Sequence, residues 1–337
     1  MSSSFRAVAL AAALACTGAS AFAQSTVSIY GLMDGSVGSY KTPGGVRNKA
    51  VASGDMTTSF VGFKGSEDLG GGVSAVFMLE HFMRPDVGAA GRFDGDAFWA
   101  RSAYVGLKGA FGSTTLGRNT TPFFVSTLVF NPFGDSFTFS PSILHYFQVG
   151  GALRGDSGWS NSIAYKSNNY DGLSVNLLAN TGESAPTSKG NNLGGNVMYF
   201  KGDFAGTVAW QSVKNGSGGL PAGVDKQEAF QVGATYDFKV VKLFGQAGQV
   251  KDKGTAALKS NIYLLGATAP LGNGRVQLAY GHVEREATGV DVTRKTTTIG
   301  YDYNLSKRTD VYVAAMSDKV TGLEDGSSYA AGIRLTY

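Results

Sequence analysis

The 337-residue chain reads as an all-β protein, a 16-stranded antiparallel transmembrane β-barrel. Three observations predict the barrel. Apolar and polar residues alternate with period two in segment after segment. After residue 23 no apolar stretch approaches the roughly 18 to 20 residues that a membrane-spanning helix needs. The connections between segments are alternately short and long, the asymmetry of a barrel with tight turns at one rim and long loops at the other.

Composition excludes other classes. With 21 Phe, 15 Tyr and 3 Trp the chain has too much burial potential for a disordered polymer, and 48 Gly beside only 8 Pro without a triplet period rules out a collagen-like helix. A net charge of +4 with no Lys/Arg block beside stacking aromatics lacks the footprint of a nucleic-acid binder. Mean hydropathy of −0.04 suits a barrel that is apolar outside and polar within.

In chain order, residues 1–23 read as a secretory signal peptide: Arg6, then an apolar run from Ala7 to Ala15, then the small-x-small site Ala21-Phe22-Ala23. The single cysteine, Cys16, lies inside it, so the barrel domain, 24–337, has no thiol for disulfides or thiolate metal sites. Sixteen strand-like segments follow, beginning near residues 27, 56, 73, 97, 113, 159, 172, 192, 203, 227, 240, 258, 274, 293, 309 and 328. The tenth shows the pattern well: Phe230, Val232, Ala234, Tyr236 and Phe238 alternate with Gln231, Gly233, Thr235 and Asp237. Leu173-Val175-Leu177, Val276-Leu278-Tyr280 and Ile299-Tyr301-Tyr303 repeat it. Short connections at 109–112, 168–171, 201–203 and 270–273 follow even-numbered strands, and long ones at 41–55, 84–96, 119–158, 181–191 and 214–226 follow odd-numbered ones. Sixteen strands enclose a lumen too wide for side chains to fill. The last strand alternates Tyr329, Ala331, Ile333 and Leu335 with Gly332, Arg334 and Thr336, and ends at the aromatic Tyr337.

Four stretches are more specific: Ile29-Tyr30-Gly31-Leu32-Met33-Asp34, Gly62-Phe63-Lys64-Gly65-Ser66-Glu67-Asp68-Leu69-Gly70-Gly71-Gly72, Ala103-Tyr104-Val105-Gly106-Leu107-Lys108-Gly109, and Tyr303-Asn304-Leu305-Ser306-Lys307-Arg308-Thr309. Together they resemble the trimeric general porins of Gram-negative bacteria, in particular their beta-proteobacterial branch. The resemblance implies an outer-membrane homotrimer in contact with lipid and lipopolysaccharide, passing small hydrophilic solutes and ions by diffusion. It implies no enzyme activity and no cofactor.

In such proteins the third loop folds inward and narrows the barrel, so the resemblance implies an inward-folded third loop and assigns a constriction loop to about 119–158. Its Phe123, Phe124 and Phe133 are candidates to line the aperture or to pack the loop on the wall, and Asp135 is the only carboxylate between Asn119 and Gly150. Anion-preferring members carry three wall arginines, and the matching positions here are Phe60, Arg101 and Gly158. Two departures of three imply a weak anion preference at most, with Arg118 and Arg154 as further bases. Strand parity puts Arg101 with the outward Ala103 and Val105 unless a bulge turns it.

Two other readings stand beside this one. A substrate-specific barrel channel would use an aromatic-lined constriction, and a barrel-wall hydrolase would need His81 or His282 outward beside a serine. Gly155-Asp156-Ser157-Gly158 looks like a serine-protease nucleophile segment, yet no histidine lies in a matching motif, so it reads as a turn. The isolated His81, His145 and His282 give no metal-ligand spacing.

Overall fold

The computed structural model describes residues 26–148, 151–181, 191–214, 220–287 and 290–337. The expected signal peptide and the glycine-rich run at 216–219 lie outside these residues. Sixteen wall strands are present: β1 (Thr26–Tyr40), β2 (Phe60–Gly70), β3 (Val73–Arg84), β4 (Ser102–Gly109), β5 (Gly112–Thr120), β6 (Gly158–Lys166), β7 (Leu173–Asn180) and β8 (Asn192–Lys201). They continue with β9 (Phe204–Val213), β10 (Lys226–Asp237), β11 (Lys242–Lys253), β12 (Leu258–Leu271), β13 (Gly274–Ala287), β14 (Val290–Asn304), β15 (Thr309–Val320) and β16 (Gly326–Thr336). Each pairs antiparallel with its chain neighbours, and β1 closes the ring on β16, from Leu32 opposite Thr336 to Ser39 opposite Tyr329. Closure removes every free sheet edge, which a membrane requires because lipid offers no hydrogen bonds.

The two faces follow the sequence alternation. On β10, Gln227, Ala229, Gln231 and Thr235 are buried on the inner face while Phe230, Val232 and Tyr236 are exposed on the outer one. Large exposed apolar residues recur on that outer parity around the ring, including Val105, Leu116, Ile163, Leu278, Ile299 and Ile333. Burial is therefore inverted relative to a soluble protein: lipid takes the place of a core. Between β2 and β3 the chain turns on Gly70, Gly71 and Gly72, with φ of 81°, 62° and 79°. Three consecutive left-handed residues are tolerable only without Cβ atoms. Across the closing seam Tyr337 exchanges backbone hydrogen bonds with Gly31, at 3.2 and 3.1 Å.

Two strands start later than their alternation predicts. The second begins at Phe60 rather than near 56, because the amides of Met56 and Thr57 both donate to the Asp34 carboxylate at 2.8 Å instead of to the ladder. Tyr312 donates to the other Asp34 oxygen at 2.7 Å, and Ser36 and Tyr40 hold Asp55 at 2.7 and 2.6 Å. Above this break the wall is completed by a short strand, Asn48–Ser53, paired with Gly35–Tyr40 of β1. The fourth begins at Ser102 rather than near 97. Phe98 leaves the ladder to stack on His81 with ring centres 3.9 Å apart, and Trp99 meets Phe63 edge-on at 6.2 Å.

Candidate pore constriction

The chain leaves β5 into a loop built on two short helices, α1 (Pro122–Val129) and α2 (Pro141–Tyr146). Each starts with a hydroxyl cap followed by proline: Thr121 Oγ1 accepts from Phe124 N at 3.2 Å, and Ser140 Oγ from Ile143 N at 3.3 Å. Between them Asn131 acts as a staple. Its side-chain amide donates to Thr127 O and Gly134 O at 2.8 and 2.9 Å, and its oxygen accepts from Phe133 N and Ser140 Oγ.

The loop bonds to the polar parity of six strands, β8 to β11, β13 and β14. Three glutamines supply much of this: Gln231 donates to Phe123 O at 3.0 Å, Gln246 to Thr127 O at 2.9 Å and Gln277 to Pro132 O at 2.6 Å. Asn196 reaches Pro122 O, Ser126 meets Thr207, and His145 Nε2 meets Thr296 Oγ1. A second device is a set of inner-face glycines that leave sockets for loop side chains. A Cβ at Gly281 would lie 2.6 Å from His145, one at Gly300 2.9 Å from Phe133, one at Gly233 3.1 Å from Phe130, and at Gly248 and Gly266 it would collide with Tyr146 and Pro132. Glutamines and glycines together seat the loop at fixed places on the wall.

This seating separates the sequence candidates. Phe123 and Phe133 are packing residues, contrary to their candidacy for the aperture. Phe123 is fully buried with Tyr146, Val250, Ile262 and Val283, and Phe133 lies among Met56, Phe139 and Tyr312. Phe124 is nearly buried against Phe147 and Phe137, with ring centres 4.9 and 6.2 Å away. Val125, Leu128, Val129, Phe137 and Phe147 remain partly exposed, so the open face of the loop is mostly apolar. Asp135 sits at the loop tip within 3.3 Å of Thr57 Oγ1, in the same cavity as Lys242, Arg275 and Arg334.

The wall positions also rearrange. Arg101 precedes β4 in a bend and so escapes its outward parity: it pairs with buried Glu80 at 2.5 Å and lies 4.0 Å over the ring of Phe60, which faces inward. Tyr30 donates to the same Glu80 oxygen at 2.8 Å. Arg118 is not a free wall base. It lies opposite Ala103, on the parity of exposed Leu116, beside a bulge at Gly117–Asn119, and its guanidinium holds Ala100 O, Ser160 and Asp156. Gly158 does not open onto the lumen, since its Cβ would meet the Arg118 guanidinium at 3.5 Å. Arg154 reaches Asp252 at 3.4 Å.

Arg92, which alternation and motif spacing do not single out, ties the second loop to the third, pairing with Asp96 at 2.9 Å and with Asp156 at 2.8 Å. Burial alone would raise the Asp156 and Asp96 carboxyls. The hydrogen bonds and charge of Arg92, joined at Asp156 by Arg118, outweigh it and hold both below the usual range.

A pattern missed in the sequence governs the electrostatics of the inner face. Glu80, Asp252, Asp302 and Asp318 are only 3–4% exposed, whereas their partners Arg101, Arg154, Arg275, Arg294 and Arg334 are 14–54% exposed. The acids lie against the wall and the guanidinium groups stand in front of them. Asp310, one-fifth exposed and bonded to Arg334 at 2.9 Å, is an exception. Arg275, Arg294 and Arg334 occupy inner parity on β13, β14 and β16, a signal legible in the alternation but buried among ordinary strand arginines.

A family profile described as Gram-negative porin matches residues 7–323. The chain belongs to the Gram-negative porin family. Among curated relatives, outer membrane porin protein 32 of Delftia acidovorans is 32% identical over 96% of this chain and 93% of its own. An outer membrane porin protein of Bordetella pertussis is 26% identical over 97% and 98%. Of solved structures, an anion-selective porin from Comamonas acidovorans superposes with a TM-score of 0.80 at 27% identity, over 93% of this chain and 100% of that one. This porin is accordingly a protein of the outer membrane, and its relatives are channels. His81 and His282 do point outward, as the hydrolase reading required, yet they lie opposite Val61 and opposite Tyr263 and Lys295, so neither faces a serine across these ladder pairs.

Proposed function

We propose that this porin is a passive, water-filled channel with a weak anion preference, narrowed by the loop seated against its inner wall. The arrangement of exposed guanidinium groups before buried carboxylates supports the sign. A permeant ion passes nearer to the positive end of each pair, and a charge about 4 Å away is worth on the order of 1 kcal/mol in bulk-like water and about 4 kcal/mol at an effective dielectric of 20. Neutralisation by the acid behind leaves a fraction of that, hence a weak preference. Burial also pushes the Asp135 carboxyl up, with Arg101 and Arg334 opposing, which weakens the one negative charge on the loop tip. The likeness to an anion-selective porin points the same way. Stepwise conductance in a planar bilayer tests the channel itself, and its absence from pure, folded protein would refute it.

A substrate-specific channel is favoured by one observation, the apolar open face of the loop with Phe137 and Phe147 partly exposed. Saturation of ion current by an aromatic anion, without saturation by chloride, would select that reading. Trimeric assembly is carried from the family. A single-chain particle in mild detergent would overturn it.

A further inference from the structure

The inward positions that hold the third loop are filled by glutamine, asparagine and threonine, but on the long-loop side of α2 the wall becomes apolar. Val283 on β13, Val292 on β14 and Met316 on β15 take inward positions there. Leu144 and Phe137 of the loop face them across a cavity of about 400 Å³. Phe137, Val292 and Met316 are only partly buried, so the loop and the wall leave this recess unfilled. Its volume lies in the range of cavities that hold small-molecule ligands.

Two guanidinium groups border the recess. Arg285 lies directly opposite Val292, and Arg294 is the next inward residue on the same strand, so the two bases are diagonal neighbours about 7–8 Å apart on the ladder. Asp318 accepts from Nε and Nη2 of Arg294 at 2.9 and 2.6 Å, and Thr296 donates to the same carboxylate at 2.8 Å. These bonds fix the Arg294 guanidinium at the cavity edge. Lys41, paired with exposed Glu324 at 3.0 Å, completes the charged lining. Among the described residues that lining has three bases and one carboxylate.

We propose that this recess binds monocarboxylates with an apolar body, the carboxylate between Arg285 and Arg294 and the hydrocarbon against Leu144, Phe137 and Met316. A carboxylate matches the planar fork of donors that each guanidinium presents. The rest of the solute has to be apolar, because a second acid or a hydroxyl-rich body would lose its water against Val283, Val292 and Met316 without gaining a partner. Chloride and phosphate gain nothing from those walls. The inference rests on the substrate-specific reading and names its solute class and its place.

The test titrates phenylacetate against the folded full-length barrel in mild detergent, read by ligand-detected NMR with protein-free micelles subtracted, so that binding is measured without conduction. Wild type should bind it saturably. Acetate and 2-phenylethanol, which carry only the charge or only the ring, should not saturate over the same range. Arg285→Gln should weaken phenylacetate about tenfold, the loss expected of one charge-assisted hydrogen bond, and Arg285→Lys should recover part of it. Met316→Gln keeps both bases and should weaken it severalfold. Circular dichroism of each variant checks that the barrel has folded. Binding that responds to both substitutions without saturation of the ion current would keep the site and refute the selective channel. Current that saturates with phenylacetate equally in wild type, Arg285→Gln and Met316→Gln would keep the selective channel and overturn the site. Absence of saturable binding, equal affinity in wild type and both variants, or equal binding of acetate would each overturn the proposal.

Discussion

Glu80 and Arg101 show how one pair of residues sets the character of the inner wall. Glu80 is buried, bonded by Tyr30, and screened from the lumen by the guanidinium in front of it. Glu80→Gln keeps the Tyr30 hydrogen bond and frees Arg101, so the anion-to-cation permeability ratio from reversal potentials should rise severalfold at low salt, where screening is least. Arg101→Gln should move the ratio the opposite way, because it leaves an unpaired carboxylate beside Phe60. An unchanged ratio in both variants would place the pair away from the ion path. The Arg92 junction carries a pH dependence whose sign follows from its carboxyls. Asp96 and Asp156 are held below their usual values when folded, so the stability they give the loops is present above about pH 4 and is lost as pH falls through their folded values. Protease sensitivity between residues 151 and 157 should therefore appear only in acid, and Arg92→Gln should shift its onset toward neutral pH. Cleavage independent of pH would show that the junction does not hold the loop.

At the level of elements, the third loop behaves as a part fitted to the wall rather than as a flexible flap. Its helices are only eight and six residues long, too short to persist alone, and owe their stability to caps and to the wall. Gly248→Ala places a methyl against the Tyr146 hydroxyl, and overpacking of this kind costs about 1–3 kcal/mol. The variant should show noisier single-channel current and faster exchange of α2 amides with solvent. Among the described residues Tyr146 Oη has no hydrogen-bond partner, so Tyr146→Phe should be tolerated alone and should partly rescue Gly248→Ala by removing the nearest atom in collision, leaving the Phe230 carbonyl oxygen 2.8 Å from the new methyl. Failure of that rescue would mean that the socket is not what seats the loop. Strand positions were legible in the sequence because the period-two signal and the lipid-facing parity agree. The second strand is present but starts a few residues later, because Asp34 captures two amides that alternation assigns to the ladder. The fourth is present but also starts later, because aromatic stacking on the outer wall competes with pairing at Phe98 and Trp99.

For the whole molecule, barrel, closure and family could be read from alternation, loop lengths and a few turn motifs. The constriction could not. Phe123 and Phe133 look like the other loop phenylalanines in sequence, and only the socket formed by distant strands decides which ring is buried. Likewise Arg101 changes face through a bend that leaves no trace in its neighbours, while the bases that stand before buried acids come from strands far apart in the chain. The lumenal charge layer is thus a property of the closed ring, and the account of selectivity stands on it. The most direct measurement is the zero-current potential of the purified porin in a planar bilayer across a tenfold gradient of potassium chloride. The expected result is stepwise conductance with chloride favoured over potassium by a small factor that grows as the salt is diluted. A potential favouring potassium at low salt would contradict it.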